Sequence, residues 1–246
     1  MRRLVAALFV FLLGLPARAQ DVPLVADLSS HLVAITTGFA GTNVLLFGAT
    51  NGPGDIVIVV RGPADDETVR RKSRLGPIWT NRDNVTFSNV PSYYRVASIR
   101  PLEEVASQDL LSRYQIGFNN LRITTTDQSL PSEEITTFRD SLVRLKSQQG
   151  LYEQGLGAVT LMSNRLFRTE LNFPSNVRTG TYLVEVYLIR EGEVTSAEIV
   201  PLNISQIGIS ADVFDFAHNL APLYGLVSVL LALAAGWAAS VIFRRV

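Results

Sequence analysis

Uncharged apolar runs occupy both ends of the chain, and the N-terminal run is the shorter one. It covers residues 4–15, follows Arg2 and Arg3, and precedes the triplet Ala17-Arg18-Ala19. Twelve residues make about 18 Å of helix, which is too short to cross a hydrocarbon layer of about 30 Å. The small residues at 17 and 19 fit the cleavage rule of signal peptidase. The pattern therefore predicts a cleaved signal peptide over residues 1–19, in preference to a membrane anchor.

The C-terminal run is long enough to cross a membrane. Residues 220–243 contain no charge, and 24 residues make about 36 Å of helix. Tyr224 and Trp237 lie near its two ends, where amphipathic rings are favoured, and Arg244 and Arg245 follow it. Because arginine pairs stay on the cytoplasmic side, we expect a single transmembrane helix with residues 244–246 in the cytoplasm. A buried core helix is the alternative.

The first part of the intervening chain, residues 20–219, has the pattern of a β protein. Runs of β-branched, aromatic and aliphatic residues cover 28–37, 42–49 and 55–61, and glycine-rich turn signals separate them. Residues 55–60 are apolar on both faces, which predicts a central strand. A further strand tract, residues 85–99, contains Pro91, which marks an edge, a bulge or a break between two strands.

Residues 101–150 change to a helical period. Leu102, Val105, Ala106 and Leu110 recur at helical spacing, and a second helix is predicted to begin near Ser132, which is a good N-cap residue. The two predicted helices form an insertion in the β pattern. Strands are then predicted at the following positions: residues 158–162, 166–173, 180–190, 194–201 and 202–209.

These elements predict a mainly β fold, namely an immunoglobulin-like β-sandwich with a two-helix insertion and one C-terminal transmembrane helix. The run from Pro174 to the sequence Gly180-Thr181-Tyr182, entering a long strand, is typical of such sandwiches. Two small β domains that divide near residue 150 are the alternative.

Composition and charge narrow the class of protein. The chain has no cysteine, so it cannot rely on disulfides and suits a bacterial periplasmic domain that is stabilised by packing. Outside the two ends it contains 17 basic and 22 acidic residues, a net charge of −5. A mildly acidic domain gives no reason to expect binding to nucleic acid.

Two adjacent segments are candidate binding sites. The first is a predicted interface rich in aromatic residues, which are common anchors of protein interfaces; its members are Trp79, Asn81, Phe87, Pro91, Tyr93 and Tyr94. Packing in the sandwich core and a small-ligand site are the alternatives. The second is a basic cluster, Arg70, Arg71, Lys72 and Arg74, which could receive an anion or could be a charged strand edge.

The sequence contains no recognisable catalytic constellation. It lacks the nucleophile-elbow, Ser-x-x-Lys and His-Glu-x-x-His motifs, and its two histidines, His31 and His218, are not brought together by any pattern. The acidic triplet Asp65-Asp66-Glu67 is read as a solvated hairpin turn. We therefore predict neither an enzyme nor a metal site, and no cofactor.

Several short motifs resemble those of one family. Pro77-Ile78-Trp79-Thr80-Asn81, Val85-Thr86-Phe87, Val90-Pro91-Ser92-Tyr93-Tyr94 and Ala97-Ser98, together with the order of signal peptide, β domain and terminal helix, resemble the putative transmembrane protein family of alphaproteobacteria. The resemblance covers nearly the whole chain, and residues 70–102 are its specific part. It implies an accessory protein of the inner membrane, and some relatives are encoded near permeases of the sulfite-exporter type. It supplies no catalytic residues.

The predicted function is therefore that of a non-catalytic periplasmic interaction protein anchored in the inner membrane. An accessory subunit of a sulfite-exporter-type transporter is the specific case that the resemblance suggests. The alternative is a solute-binding or sensing domain for a small anion, in which the helical insertion roofs a pocket. An enzyme that uses carboxylates comes third.

Overall fold

The computed structural model describes residues 23–125, 130–153, 155–208, 213 and 216–244 of the 246-residue chain. The predicted signal peptide lies outside the described residues. The strands are β1 Leu24–Leu28, β2 Leu32–Ile35, β3 Gly41–Thr50, β4 Asp55–Arg61, β5 Ala64–Leu75, β6 Ile78–Pro91, β7 Tyr94–Ser98, β8 Thr124–Thr125, β9 Gly157–Ala158, β10 Thr160–Met162, β11 Leu166–Pro174, β12 Gly180–Arg190 and β13 Glu193–Gln206. The helices are α1 Leu102–Val105, α2 Gln108–Arg113, a 3₁₀ turn Phe118–Asn120, α3 Ser132–Gln148 and α4 Ala221–Phe243.

Two sheets share one apolar core, so the prediction of a mainly β fold is confirmed. One sheet has the order β1-β3-β11-β10, and the other has the order β2-β13-β12-β4-β7-β9. The first order resembles the ABED sheet of variable-type immunoglobulin sandwiches, and the run β13-β12-β4-β7 within the second resembles their GFCC′ sheet. The Tyr182 hydroxyl also donates a 2.8 Å hydrogen bond to the Arg178 carbonyl, as in a tyrosine corner. The immunoglobulin-like assignment stays a prediction that these two features support.

The central strand β4 is buried on both faces, as its uniformly apolar sequence predicts. Ile56 to Val60 have no exposed surface. The neighbouring strand β12 shows what covers each face. Tyr182 packs edge-on against Phe173 of the four-stranded sheet, whereas Tyr187, on the other face of β12, packs against Tyr114 from the helical segment. Residues 101–121 therefore form a third layer that covers the outer face of the six-stranded sheet.

A buried ion pair joins this layer to the sheet. The Arg61 guanidinium contacts the Glu185 carboxylate and also donates to the carbonyls of Tyr114 (2.7 Å) and Gln115 (3.1 Å). The Tyr187 hydroxyl donates to the same carboxylate at 2.7 Å. Burial alone would lower the pKa of Arg61, but the Glu185 carboxylate outweighs it and holds that pKa above its usual range.

A long hairpin, β5–β6, is inserted between the paired strands β4 and β7. Two backbone hydrogen bonds fix its root, from Gly62 N–H to the Tyr93 carbonyl (2.8 Å) and from Ser92 N–H to the Pro63 carbonyl (2.9 Å). The approach is so close that a Cβ at Gly62 would lie 2.4 Å from the Ser92 hydroxyl oxygen. Strand β5 alone has 12 residues, about 40 Å when extended.

Helix α3 runs along one side of the hairpin and supports it. Phe138 and Leu142 of the helix form a small second core with the hairpin residues Val69, Val85, Phe87 and Val90. Near the root, the buried Lys146 ammonium lies 2.5 Å from the Glu67 carboxylate. Farther out, the Arg71 guanidinium lies 3.5 Å from the Glu134 carboxylate. Contacts at several points along the hairpin therefore hold its inner part in place.

The structure corrects two predictions in and beside the hairpin. The triplet Asp65-Asp66-Glu67 lies within β5, and the turn falls instead at Gly76-Pro77, where Gly76 has φ +62° as two-residue hairpin loops require. Pro91 ends β6 and so marks a break between two strands, one of the predicted possibilities. Ser132 does not cap α3, because Pro131 occupies the N-cap position and no side chain caps that end of the helix.

Other element boundaries also differ from the prediction. The strand predicted over 28–37 is shortened to β2, and β1, which precedes it, shares only Leu28 with the predicted range. The helix predicted from Leu102 is divided into α1 and α2 at Ala106-Ser107. Strand β13 runs without interruption where two strands were predicted. Helix α4 confirms the predicted C-terminal apolar helix to within one residue at its start.

Replacing Glu185 with Gln tests the buried ion pair. We expect the free energy of unfolding to fall by about 3 kcal/mol, because the substitution leaves the buried Arg61 charge without its counter-charge. Chemical unfolding of the full chain in detergent, followed by far-UV circular dichroism, measures the change. Glu198→Gln is the control because Glu198 is exposed on β13. Equal losses in the two variants would contradict the role given to the pair.

Candidate interaction surface

The outer part of the hairpin, residues 70–84, is here called the hairpin tip. Its turn is followed by two large apolar side chains that project into solvent, with 64% of Ile78 and 66% of Trp79 exposed. Asn81, two residues further along β6, is also exposed. An exposed tryptophan beside an exposed isoleucine is the kind of apolar patch that marks a contact site.

The hairpin tip is also strongly basic. It contains five Lys or Arg residues and one acid, Asp83, although the chain as a whole has no net charge. All four members of the predicted basic cluster are exposed: Arg70, Arg71, Lys72 and Arg74. A local excess of positive charge attracts a negatively charged surface and orients its approach.

The basic cluster does not act as one unit. Arg71 is directed to α3 and the neighbouring strand, since its guanidinium lies 4.7 Å from the centre of the Phe138 ring, 3.5 Å from Glu134 and 3.9 Å from Asp83. The Arg74 Nε atom donates to the Gly76 carbonyl at 3.0 Å. Arg71 thus contacts the fold, and the anion site at Arg70, Arg71, Lys72 and Arg74 stays a prediction.

Four of the six predicted interface residues are buried: Phe87, Pro91, Tyr93 and Tyr94. In the folded chain the alternative of core packing describes these four side chains. Phe87 lies in the small core between hairpin and α3, because its side chain faces the helix. Trp79 and Asn81 are exposed, so they remain candidates for contact with a partner.

The two buried tyrosines fix the root of the hairpin to its surroundings. The Tyr93 hydroxyl donates to the Asn172 carbonyl of β11 at 2.6 Å. The Tyr94 hydroxyl donates to the Gln115 carbonyl at 2.9 Å and accepts from Gly117 N–H at 2.8 Å. Burial raises the pKa of Tyr93 and that of Tyr94 to about 12. Both phenols are therefore neutral hydrogen-bonding groups of the fold.

Sequence reasoning missed Ile78 and the supporting pair Glu67–Lys146. Ile78 stands directly after Gly76-Pro77, a turn signal that lies between two charged runs. That signal could have identified the hairpin loop, and with it Ile78 as an exposed residue beside the loop. The Glu67–Lys146 contact joins residues 79 positions apart, and no local pattern relates them.

The hairpin tip exposes both tryptophan and arginine side chains. Tryptophan and arginine are the residues most enriched among the energetic hot spots of protein interfaces. Within the described part of the chain, no group of three or more His, Cys, Asp or Glu residues is placed to hold a metal ion.

The other functional element is α4. Its 23 residues make about 34 Å of helix, its mean hydropathy reaches 2.3, and none of it is buried against the rest of the chain. These features, with the two-sheet fold, define a mainly β protein that is anchored to a membrane by a candidate C-terminal span. The chain belongs to the family described as Putative transmembrane protein (Alph_Pro_TM), whose model matches residues 23–245. Comparison with curated proteins and with solved structures found no match.

The exposure of Trp79 leads to a prediction about stability. Trp79→Ala should change the free energy of unfolding by no more than about 0.5 kcal/mol, because surface substitutions remove little packing. The matched variant Phe87→Ala should cost about 3 to 5 kcal/mol, because it opens a cavity against Phe138 and Leu142. Chemical unfolding of both full-length variants measures the difference. A large loss for Trp79→Ala would show that this side chain packs against the fold.

The raised tyrosine pKa values predict alkaline destabilisation. In the unfolded chain these phenols ionise near pH 10, whereas folded Tyr93 and Tyr94 hold their protons to about pH 12. The folded state therefore binds more protons between these values, so stability is complete below pH 10 and falls as the pH rises through about 12. Unfolding free energies measured across this range should show the decline, with a smaller slope for Tyr94→Phe. An unchanged slope in that variant would contradict the assignment to Tyr94.

Proposed function

We propose that this protein is a non-catalytic, membrane-anchored interaction protein that contacts a second membrane protein through its hairpin tip. One observation carries the proposal: the fold holds Trp79 exposed at the end of a hairpin that α3 supports over its inner part. The contact of Glu67 with Lys146 serves the same support, and the contact of Arg71 with Glu134 extends it to the base of the hairpin tip.

Partner binding would use both the apolar and the rigid features of the hairpin. A tryptophan can bury 150–250 Å² of surface, worth about 25 cal/mol for each Å² that is removed from water. Binding also costs free energy when a flexible segment must be ordered. Since α3 already orders the inner part of the hairpin, binding spends less free energy on ordering that segment. More of the free energy gained by burying Trp79 and Ile78 therefore contributes to affinity.

The charge of the hairpin tip indicates the character of the partner surface. Arg70, Lys72 and Arg74 are exposed on β5, so an acidic surface around an apolar pocket for Trp79 would be complementary. Complementary charges raise the rate of association and exclude partners of the wrong sign. We expect the complex to weaken as salt concentration rises.

The proposal places the protein in a bacterial inner membrane with its β domain in the periplasm. Support comes from the sequence, in which Arg2 and Arg3 precede a short apolar run and Arg244 and Arg245 follow the apolar helix. Positive residues after the last span favour a cytoplasmic C-terminus. A single α4 anchor would keep the domain close to any partner in the same membrane, which raises the effective concentration of the two.

The proposed partner is an inner-membrane protein. The family resemblance suggests a permease of the sulfite-exporter type, for which this protein would be an accessory subunit. The alternative function, reception of a small anion by Arg70, Arg71, Lys72 and Arg74, has less support, because Arg71 is engaged with Phe138 and Glu134.

Co-purification from native membranes tests the proposal. The full-length protein is isolated in mild detergent, and accompanying proteins are quantified by mass spectrometry for wild type, Trp79→Ala and Lys72→Glu. We expect one membrane protein in stoichiometric amount with wild type and a loss of about tenfold or more with Trp79→Ala, since hot-spot residues contribute about 2 kcal/mol or more.

Ile199→Ala is the matched control, because Ile199 is 56% exposed on the sandwich and lies outside the hairpin. This variant should retain the partner at the wild-type level. Equal recovery of a partner with wild type and Trp79→Ala, or recovery of further copies of this chain alone, would reject the proposal.

A further inference from the structure

A polar groove lies where β7, the C-terminal end of α3 and β11 meet. It has a volume of about 630 Å³, within the range of small-molecule sites. Its lining includes Arg95 of β7, Arg144 and Ser147 of α3, and Glu153 just beyond that helix. The groove is separate from the hairpin tip, so an inference about it does not depend on the proposed function.

A largely buried arginine marks the inner wall of the groove. Only 12% of the Arg95 side chain is exposed, and its Nε atom lies 2.8 Å from a carboxylate oxygen of Glu153. The oxygen is off the N–H axis, so this is a charge contact without a linear hydrogen bond. Glu153 itself is 46% exposed, so the carboxylate of a ligand can replace its carboxylate beside the guanidinium without leaving that charge unpaired.

The other lining groups leave the groove with a net positive charge. Arg144 is exposed on α3, and Glu153 is the one acid among the described residues that line the groove. The buried Ser147 hydroxyl oxygen has no hydrogen-bond partner in the described part of the chain. A ligand oxygen could therefore accept from this hydroxyl as well as from the two guanidinium groups.

The end of α3 does not oppose an anion strongly. Carbonyl groups at a helix C-terminus are partly negative, but here several are already hydrogen-bonded. Leu151 N–H donates to the Lys146 carbonyl (3.0 Å), Gly150 N–H donates to the Ser147 carbonyl (2.9 Å), and the Asn176 side-chain amide donates to the Gln149 carbonyl (3.0 Å).

We infer that this groove binds a small organic carboxylate, with Arg95 and Arg144 as the cations that receive it. The class of ligand follows from the contact already present, because the Glu153 carboxylate occupies the place beside Arg95 that a ligand carboxylate would take. Arginine forks match the geometry of carboxylates closely. Glu153 thus competes with the ligand for Arg95.

Titration calorimetry of the full-length protein in detergent tests this inference, with succinate as the probe and inorganic phosphate as the comparator. We expect succinate to bind wild type saturably. Compared with wild type, its affinity should be about tenfold lower for Arg144→Gln and severalfold higher for Glu153→Gln, in which the competing charge is removed. Arg113→Gln is the control, because Arg113 is exposed on α2 and does not line the groove.

The competing results are distinct. No saturable succinate binding to either wild type or Glu153→Gln would overturn the inference. Weakening by Arg113→Gln equal to that by Arg144→Gln would show that binding follows net charge and would also overturn it. Phosphate binding as tight as succinate binding would reject the assignment to carboxylates. None of these results depends on the partner-binding role of Trp79.

Discussion

The buried contact between Arg61 and Glu185 is the interaction on which the arrangement of the layers depends. The face of β4 and β12 that lies away from the four-stranded sheet carries Val57, Val59 and Tyr187 beside the Arg61–Glu185 pair, and all of these side chains are largely withdrawn from water, so that face needs a cover. Residues 101–121 provide it, and Arg61 fixes them there through the carbonyls of Tyr114 and Gln115. Tyr94 binds the same segment from β7 through its hydroxyl group. These polar contacts add to the apolar packing that holds the short helices in register, and Arg139 of α3 contributes further hydrogen bonds to the carbonyls of Phe118, Asn119 and Leu121.

The same helical insertion also determines the most exposed part of the molecule. Once residues 101–121 cover the sheet, α3 lies along the inner part of the hairpin, where Phe138 and Leu142 complete a second core. The hairpin extends beyond this support and carries Trp79 and the basic residues into solvent. The layer that closes the hydrophobic core and the helix that supports the hairpin thus belong to one insertion.

The sequence predicted the fold wherever apolar patterning was strong. Strand β4 is uniformly apolar and β12 is long and β-branched, so both were recognised, as was α4. The β5–β6 hairpin was not recognised from the sequence. Strand β5 carries seven charged residues and lacks an apolar alternation, so its sequence resembles that of a loop. The aromatic residues of the predicted interface were misplaced for a related reason. Burial of Phe87 depends on α3, a partner about 50 residues away, and such a contact leaves no local pattern.

Photo-crosslinking in native membranes can detect a contact between the hairpin tip and another membrane protein. A photoreactive amino acid is placed at position 78 of the full-length protein, beside Trp79, and at position 199 on the sandwich for comparison; both native residues are exposed isoleucines. If the hairpin tip contacts a partner, position 78 should give one covalent adduct of defined mass with another membrane protein. Position 199 should give no such adduct. The absence of an adduct at position 78, or the same adduct from both positions, would contradict such a contact.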